Sequence, residues 1–157
     1  VEVIENDDSV EVRHIGDLNR INIKTQPYPG FPTDMNPQMG VLMCIAKGES
    51  SIREGVWDNR FKYVDELIRM GAKIKSDSQY AVFTGVSHLH GAPISACDLR
   101  AGAAFIIAGL MAHGVTEIDH IHYIQRGYED IVGKLQKVGA DITLRYEPDD
   151  AGVLSVG

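Results

Sequence analysis

The chain has 157 residues, with 15 Lys and Arg against 22 Asp and Glu and a formal net charge of -7. That length suits one domain, or two small units sharing a core, and the mean hydropathy of -0.11 is ordinary for a globular protein. The acidic balance excludes nucleic acid as the main partner, because a phosphate backbone demands a basic footprint. It leaves room for a small anionic ligand held by a few arginines. No apolar run reaches membrane-spanning length, so no membrane partner is expected.

Val1 opens the chain in what reads as a strand. The chain is therefore read as a piece of a longer protein, or a processed one, without a signal peptide. The stretch "VEVIENDDSVEVRHI" alternates apolar and polar residues around a polar tip, Asn6 to Ser9, and predicts a hairpin. "RINIKT" predicts a third strand. "TQPYPGFPTDMNPQ", Thr25 to Gln38, follows, with four prolines, one glycine and two aromatics around the single carboxylate Asp34. Prolines fix φ and remove donors, so this loop is stiff. An almost wholly apolar helix is predicted over Asp34–Lys47, ended by Gly48 as a left-handed cap. "SIREGV" predicts a short strand, and an amphipathic helix over Lys62–Met70 ends at Gly71.

The same series then recurs. "AKIKSDSQYAVFTGV" predicts a hairpin, "APISA" a strand, and Leu99–His113 an apolar helix ended by Gly114. "EIDHI" predicts a short strand, and Tyr128–Val138 an amphipathic helix ended by Gly139. At an offset of 66 residues, Gly48 falls on Gly114, Ile52 on Ile118 and Arg60 on Arg126. After a two-residue slip, "LIRMGAKI" falls on "LQKVGADI". The expected organisation is one partial domain over 1–157, with repeat units at 1–70 and 71–138 and the start of a third at 139–157. A helix apolar on nearly all faces must be buried. The fold class is therefore α/β, with repeated units and helices inside. It is not a Rossmann fold, because no Gly-rich phosphate loop joins a strand to a helix.

Asp34 and Arg100 occupy the same place in the two units, the start of the buried helix. Arg60 and Arg126 also match, just after the short strand. A helix-start Asp is most simply an N-cap worth about 1 kcal/mol; with Thr33 as the cap instead, Asp34 would be free to act as a base or an orienting group. Arg100 in a first turn opposes the helix dipole. It answers either to a bound anion or to Asp98. Arg126 has Glu129 and Asp130 within reach, and Arg60 has Asp65 and Glu66, as weak surface pairs. Together, three arginines and one acid at equivalent ends suit a small substrate carrying phosphate and carboxylate groups. His88 with His90, and His120 with His122, read as polar strand faces; two ligands are too few for zinc. Cys44 and Cys97, the only cysteines, read as small buried residues rather than nucleophiles. They give no disulfide framework and fit a reducing cytoplasm.

Four segments carry a resemblance: "TQPYPGFPTDMNPQ", "WDNRFKYVDELIRMGA", "DLRAGAAFIIAGLMAHG" and "HYIQRGYEDIVGKLQKVGADI". In this order and spacing, from about Ile23 to Ile142, the chain resembles the C-terminal part of the UDP-N-acetylglucosamine 1-carboxyvinyltransferase family of enolpyruvyl transferases. The resemblance implies the enolpyruvyl transferase fold, an inside-out α/β barrel domain of βαβαββ-type units, incomplete here. It implies transfer of the enolpyruvyl group of phosphoenolpyruvate to the 3-hydroxyl of UDP-N-acetylglucosamine, with release of phosphate, at the start of peptidoglycan synthesis. It implies no metal and no organic cofactor. Asp34 matches the acid that contacts the sugar hydroxyl, Arg100 and Arg126 match arginines at the phosphoenolpyruvate end, and Asp98 matches an acid near the reacting centre. Arg60 matches a further active-site arginine and Val56 a backbone contact to the sugar. A lysine, further arginines and a cysteine-bearing loop belong to the family's other, N-terminal domain and lie outside this chain, so the isolated chain is expected to be nearly inactive. The alternatives are a fragment of 5-enolpyruvylshikimate-3-phosphate synthase type, or a non-catalytic binding module of the same fold.

Overall fold

The computed structural model describes residues 1–146 and 152–157. Its elements follow the expected order. A hairpin, β1 (Glu2–Glu5) and β2 (Val10–Arg13), forms a separate two-stranded sheet. Then come β3 (Asn22–Lys24), a 3-10 turn (Thr33–Met35), α1 (Asn36–Ile45), β4 (Glu49–Arg53), α2 (Val64–Arg69), β5 (Lys73–Ser76) and β6 (Tyr80–Thr84). The series repeats as β7 (Pro93–Ser95), α3 (Leu99–Met111), β8 (Thr116–Asp119), α4 (His122–Gln125), α5 (Ile131–Lys137), β9 (Ile142–Tyr146) and β10 (Gly152–Val156).

Two four-stranded sheets have the same plan, β3-β4-β6-β5 and β7-β8-β10-β9. In each, the first two strands run parallel, joined by the long helix, and the last two form an antiparallel hairpin. The hydrogen bonds thus divide the chain differently from the expected units at 1–70, 71–138 and 139–157. The hairpin β5–β6 pairs with β4 and closes the first unit, rather than opening the second. The hairpin β9–β10 pairs with β8 and closes the second, rather than starting a third. Residues 147–151 of that last segment lie outside the described residues. Alternation predicts a hairpin, yet the strand it joins is chosen by distant contacts, which local pattern does not carry.

Glycine ends the long helices where expected. Gly48 and Gly114 take φ of +92° and +91°, a conformation that costs an L side chain roughly 1–2 kcal/mol. Both helices face one continuous core, with Val41, Met43 and Cys44 from α1 and Ala104, Phe105 and Ala108 from α3. Between them and the sheets lie Ile52, Leu67, Phe83, Ile94, Ile118 and Leu154. The helices are not buried all round, however. Leu42 on α1 and Ile107 and Leu110 on α3 stay exposed, and a groove of about 310 Å³ runs between Met35, Ile106, Leu110 and Leu135. Among the described residues no helix is long and apolar enough to cross a membrane.

Each parallel pair of strands delivers its following loop to the same end of its sheet. In α/β units that end is where ligands bind. Asp34 follows β3, Arg60 follows β4, Arg100 follows β7, and Arg126 follows β8.

Candidate active site

The proline-rich loop is closed on itself before it reaches Asp34. The Gln26 N–H donates to the Phe31 carbonyl at 2.9 Å, and the Gly30 N–H to the Pro27 carbonyl at 2.9 Å. A Cβ on Gly30 would lie 2.5 Å from Gln26 Cβ, so the turn admits only glycine there. The chain then enters the 3-10 turn Thr33–Met35, and Pro37 stands in the first turn of α1, a position where a missing N–H costs nothing.

Asp34 caps neither the 3-10 turn nor α1; no side chain does. This corrects the simplest sequence expectation. Its Oδ1 instead accepts hydrogen bonds from Arg100 Nε and, at 3.5 Å, from Arg60 Nη2. The Arg100 contact joins two residues 66 positions apart, the repeat offset itself. The side chain of Asp34 is 60% exposed, against 17% for Arg60 and 32% for Arg100. The acid therefore stands further into solvent than either arginine. Oδ2 of Asp34 accepts no hydrogen bond among the described residues.

Arg60 is set by its own strand end. Asn59 takes a left-handed φ of 57°, which asparagine tolerates better than most residues. Arg60 Nε then donates to Thr33 Oγ1 at 3.2 Å, and its guanidinium lies 5.8 Å from the centre of the Trp57 ring. The expected partners Asp65 and Glu66 do not bind it, and Glu66 pairs with Arg69 instead. Asp98 does cap. Its Oδ1 accepts from the Arg100 and Ala101 N–H groups at 2.8 and 2.9 Å. Its carboxylate holds the backbone of Arg100, while Asp34 takes the guanidinium. The cap also offsets the positive helix start that a first-turn arginine would otherwise aggravate.

Arg126 ends α4, is exposed, and makes no ion pair among the described residues. Its neighbour Gly127 packs so closely on Leu99 that a Cβ would meet Leu99 Cδ1 at 2.7 Å. That contact brings the chain next to Arg126 against the first residue of α3. Val56 presents its N–H to Glu54 Oε1 at 3.0 Å and is 39% exposed. Asp34 alone shares its carboxylate between two guanidiniums, because Asp98 is engaged with backbone N–H groups and Glu54 with five donors of its own, so both arginines keep free donor N–H groups. Guanidinium donors left free in this way fit an anionic ligand that a fork can grip.

Sequence reasoning passed over Glu54. It is 3% exposed and accepts five hydrogen bonds. Thr25 Oγ1 (2.6 Å), Val56 N–H (3.0 Å) and Trp57 N–H (3.2 Å) donate to Oε1. Thr33 Oγ1 (3.0 Å) and Asn36 Nδ2 (2.9 Å) donate to Oε2. Burial pushes this carboxyl up, but the bonds from Thr25, Asn36, Val56 and Trp57 outweigh it, so it lies below its ordinary value. A signal existed: Ser50, Ile52 and Glu54 alternate onto the same inward face of β4 and its extension.

The histidines are not strand faces. His88 and His90 follow β6 in a loop, where the His88 ring stacks on His113 at 4.4 Å. His120 adopts a left-handed φ of 56°, and His122 begins α4. Among the described residues no group of three or more His, Cys, Asp or Glu could hold a metal ion. Cys44 is buried as expected, whereas Cys97 is exposed beside Asp98.

Comparison with known proteins gives the family. Residues 1–135 match the family model of EPSP synthase (3-phosphoshikimate 1-carboxyvinyltransferase). The chain is 54% identical over 142 residues to UDP-N-acetylglucosamine 1-carboxyvinyltransferase of Clostridium botulinum, an alignment covering 90% of this chain and 34% of that protein. It is also 54% identical over 142 residues to the protein of that name from Desulfofundulus thermocisternus, covering 58% of it. Among solved structures, the enolpyruvyl transferase NikO from Streptomyces tendae superposes with a TM-score of 0.81 at 31% identity, over 89% of this chain and 33% of that one. EPSP synthase from Acinetobacter baumannii, at 17% identity and a TM-score of 0.57, shares the fold. The chain spans about a third of the length of most of these relatives, and 58% of one. It belongs to the EPSP synthase family of enolpyruvyl transferases, as a partial chain homologous to the UDP-N-acetylglucosamine 1-carboxyvinyltransferases.

Proposed function

We propose that this chain is the C-terminal part of a transferase that moves the enolpyruvyl group of phosphoenolpyruvate to the 3-hydroxyl of UDP-N-acetylglucosamine. The observation that carries the reading is Asp34 held by Arg60 and Arg100 at the carboxyl ends of equivalent strands. The 54% identity to the sugar-nucleotide enzymes favours that acceptor over shikimate-3-phosphate.

Each residue then has a task. Asp34 receives the sugar hydroxyl on its unengaged Oδ2 and takes its proton as the oxygen attacks C2 of phosphoenolpyruvate. C3 takes a proton from an acid outside this chain, giving a tetrahedral adduct that keeps both carboxylate and phosphate. A base then removes one proton of the C3 methyl as the C2–O bond to phosphate breaks, which leaves the enolpyruvyl ether and inorganic phosphate. Arg100 and Arg126 hold the phosphate and carboxylate and offset their charge through the adduct. Arg60 fixes the attitude of Asp34, Asp98 fixes the backbone of Arg100, and Val56 offers backbone to the sugar. The remaining donors belong to an N-terminal domain of the same enzyme, so the cleft has only one wall here.

The test is phosphate release from phosphoenolpyruvate plus UDP-N-acetylglucosamine, with this chain alone and with a matching N-terminal portion added. Turnover only in the mixture, lost at least a hundredfold on Arg126→Ala, is expected. Turnover by the chain alone would overturn the one-walled cleft. Full turnover by the Arg126→Ala mixture would remove Arg126 from the site.

A further inference from the structure

Glu54 touches neither Asp34 nor Arg60, yet the loops that bear both are tied to it. Thr25 opens the proline-rich loop, and Thr33 with Asn36 closes it. All three donate to the one carboxylate. The opposite loop is tied to it by the Val56 and Trp57 N–H groups. The Thr25 hydroxyl also accepts from the Gly55 N–H at 2.8 Å, doubling the clasp. Thr33 is the relay outward, since its Oγ1 donates to Glu54 and accepts from Arg60 Nε. Inward, the Tyr63 hydroxyl, 1% exposed, donates to Asn36 Oδ1 at 2.7 Å, which fixes the way the amide points. The chain of bonds runs from the core at Tyr63 through Asn36, Glu54 and Thr33 to Arg60 and Asp34.

We propose that Glu54 is a positioning residue, a buried anionic clasp that sets Arg60 and Asp34 by locking together the two loops that bear them. Its activity rests on the function proposed above. The chemistry demands a carboxylate. All five contacts are donors, and a carboxylate is acceptor on both oxygens. An amide must turn its NH2 group against some of these donors. Against Thr33 and Asn36, the hydroxyl has to rotate away from its present bond and the amide has to flip, which disturbs the bond to Tyr63. Against Thr25, Val56 and Trp57, two of the opposed donors are backbone and cannot turn. A partly satisfied buried network is a strained one, and here the strain falls on the relay to Arg60.

The experiment compares the wild-type chain with Glu54→Gln and Thr33→Val by hydrogen exchange of the Arg60 Nε–H, with the Ala101 N–H, capped by Asp98 in the other unit, as internal reference. Both variants are expected to lose at least tenfold of Arg60 protection while Ala101 keeps its wild-type rate. Unchanged Arg60 protection in a folded Glu54→Gln chain would overturn the proposal, as would an equal loss at Ala101, which marks general loosening. If Glu54→Gln does not fold, Thr25→Val decides, since it removes a donor from the buried acid and leaves Arg60 its acceptor on Thr33; unchanged Arg60 protection there would overturn the proposal. In the mixture with an N-terminal portion, kcat of each variant should fall at least tenfold with KM within threefold. A wild-type kcat alongside lost Arg60 protection would refute a catalytic consequence. Absence of wild-type turnover would count against the function above, and the exchange rates would still decide the clasp.

Discussion

Removing the carboxylate of Asp98 separates two effects that usually travel together. Its Oδ1 accepts from two backbone N–H groups of the first turn of α3, at 2.8 and 2.9 Å. Asp98→Ala deletes the cap, worth about 1 kcal/mol, and also a negative charge at a helix start, worth roughly 0.3–1 kcal/mol. The total is about 1–2 kcal/mol. Asp98→Asn keeps an oxygen acceptor in place and loses only the charge, so it should cost roughly 0.3–1 kcal/mol. Urea unfolding, followed by far-UV circular dichroism, resolves both steps. With a slope of about 2 kcal/mol per molar, the Ala variant should shift the midpoint down by roughly 0.5–1 M and the Asn variant by less than half that. High salt should shrink the gap between wild type and Asn, and leave the gap between Asn and Ala. Asn as costly as Ala would refute the argument, because the hydrogen bonds would then contribute nothing. A midpoint unchanged in Ala would refute the cap altogether.

Two further outcomes follow from the titrating groups. Burial pushes the Cys44 thiol up to about 12, and the Cys97 thiol, exposed at one side, is also raised, by partial desolvation on its inner side and then by Asp98; iodoacetamide at pH 8 should label Cys97 slowly and Cys44 only in urea, as read by mass spectrometry. Glu54 lies below its ordinary 4.5 when folded, so its contribution is complete above that value and is lost as the pH falls below it, through the lower folded value. Thermal melts from pH 6 downward should show a wild-type decline beginning near 4.5 that is flatter in Glu54→Gln, and identical slopes would disprove it.

Much of the architecture was legible because its punctuation is local. Gly48, Gly71, Gly114 and Gly139 all adopt positive φ where the apolar patterns stop. Hairpin tips at Asn6–Ser9 and Ser76–Ser78 are likewise short-range signals. What local pattern could not give was partnership. The hairpins read correctly as hairpins and were assigned to the wrong units, since β6 finds β4 across a whole helix. Asp34 read as a cap because its true partners are 26 and 66 residues away. Glu54 was missed because a charged residue at a strand end ordinarily faces water. Only its place in the alternation with Ile52 argued otherwise.

The contact between Asp34 and Arg100 joins equivalent positions of the two units. Two copies of one unit pack so that the start of the first long helix touches the start of the second. A residue there meets its own duplicate. Had the copies stayed identical, the junction would have set like charge on like, aspartate on aspartate or arginine on arginine. Opposite charges at that one place turn self-encounter into attraction. Opposite charge at equivalent positions thus makes the junction of the two units attractive, and gives two similar halves unlike ends where they meet.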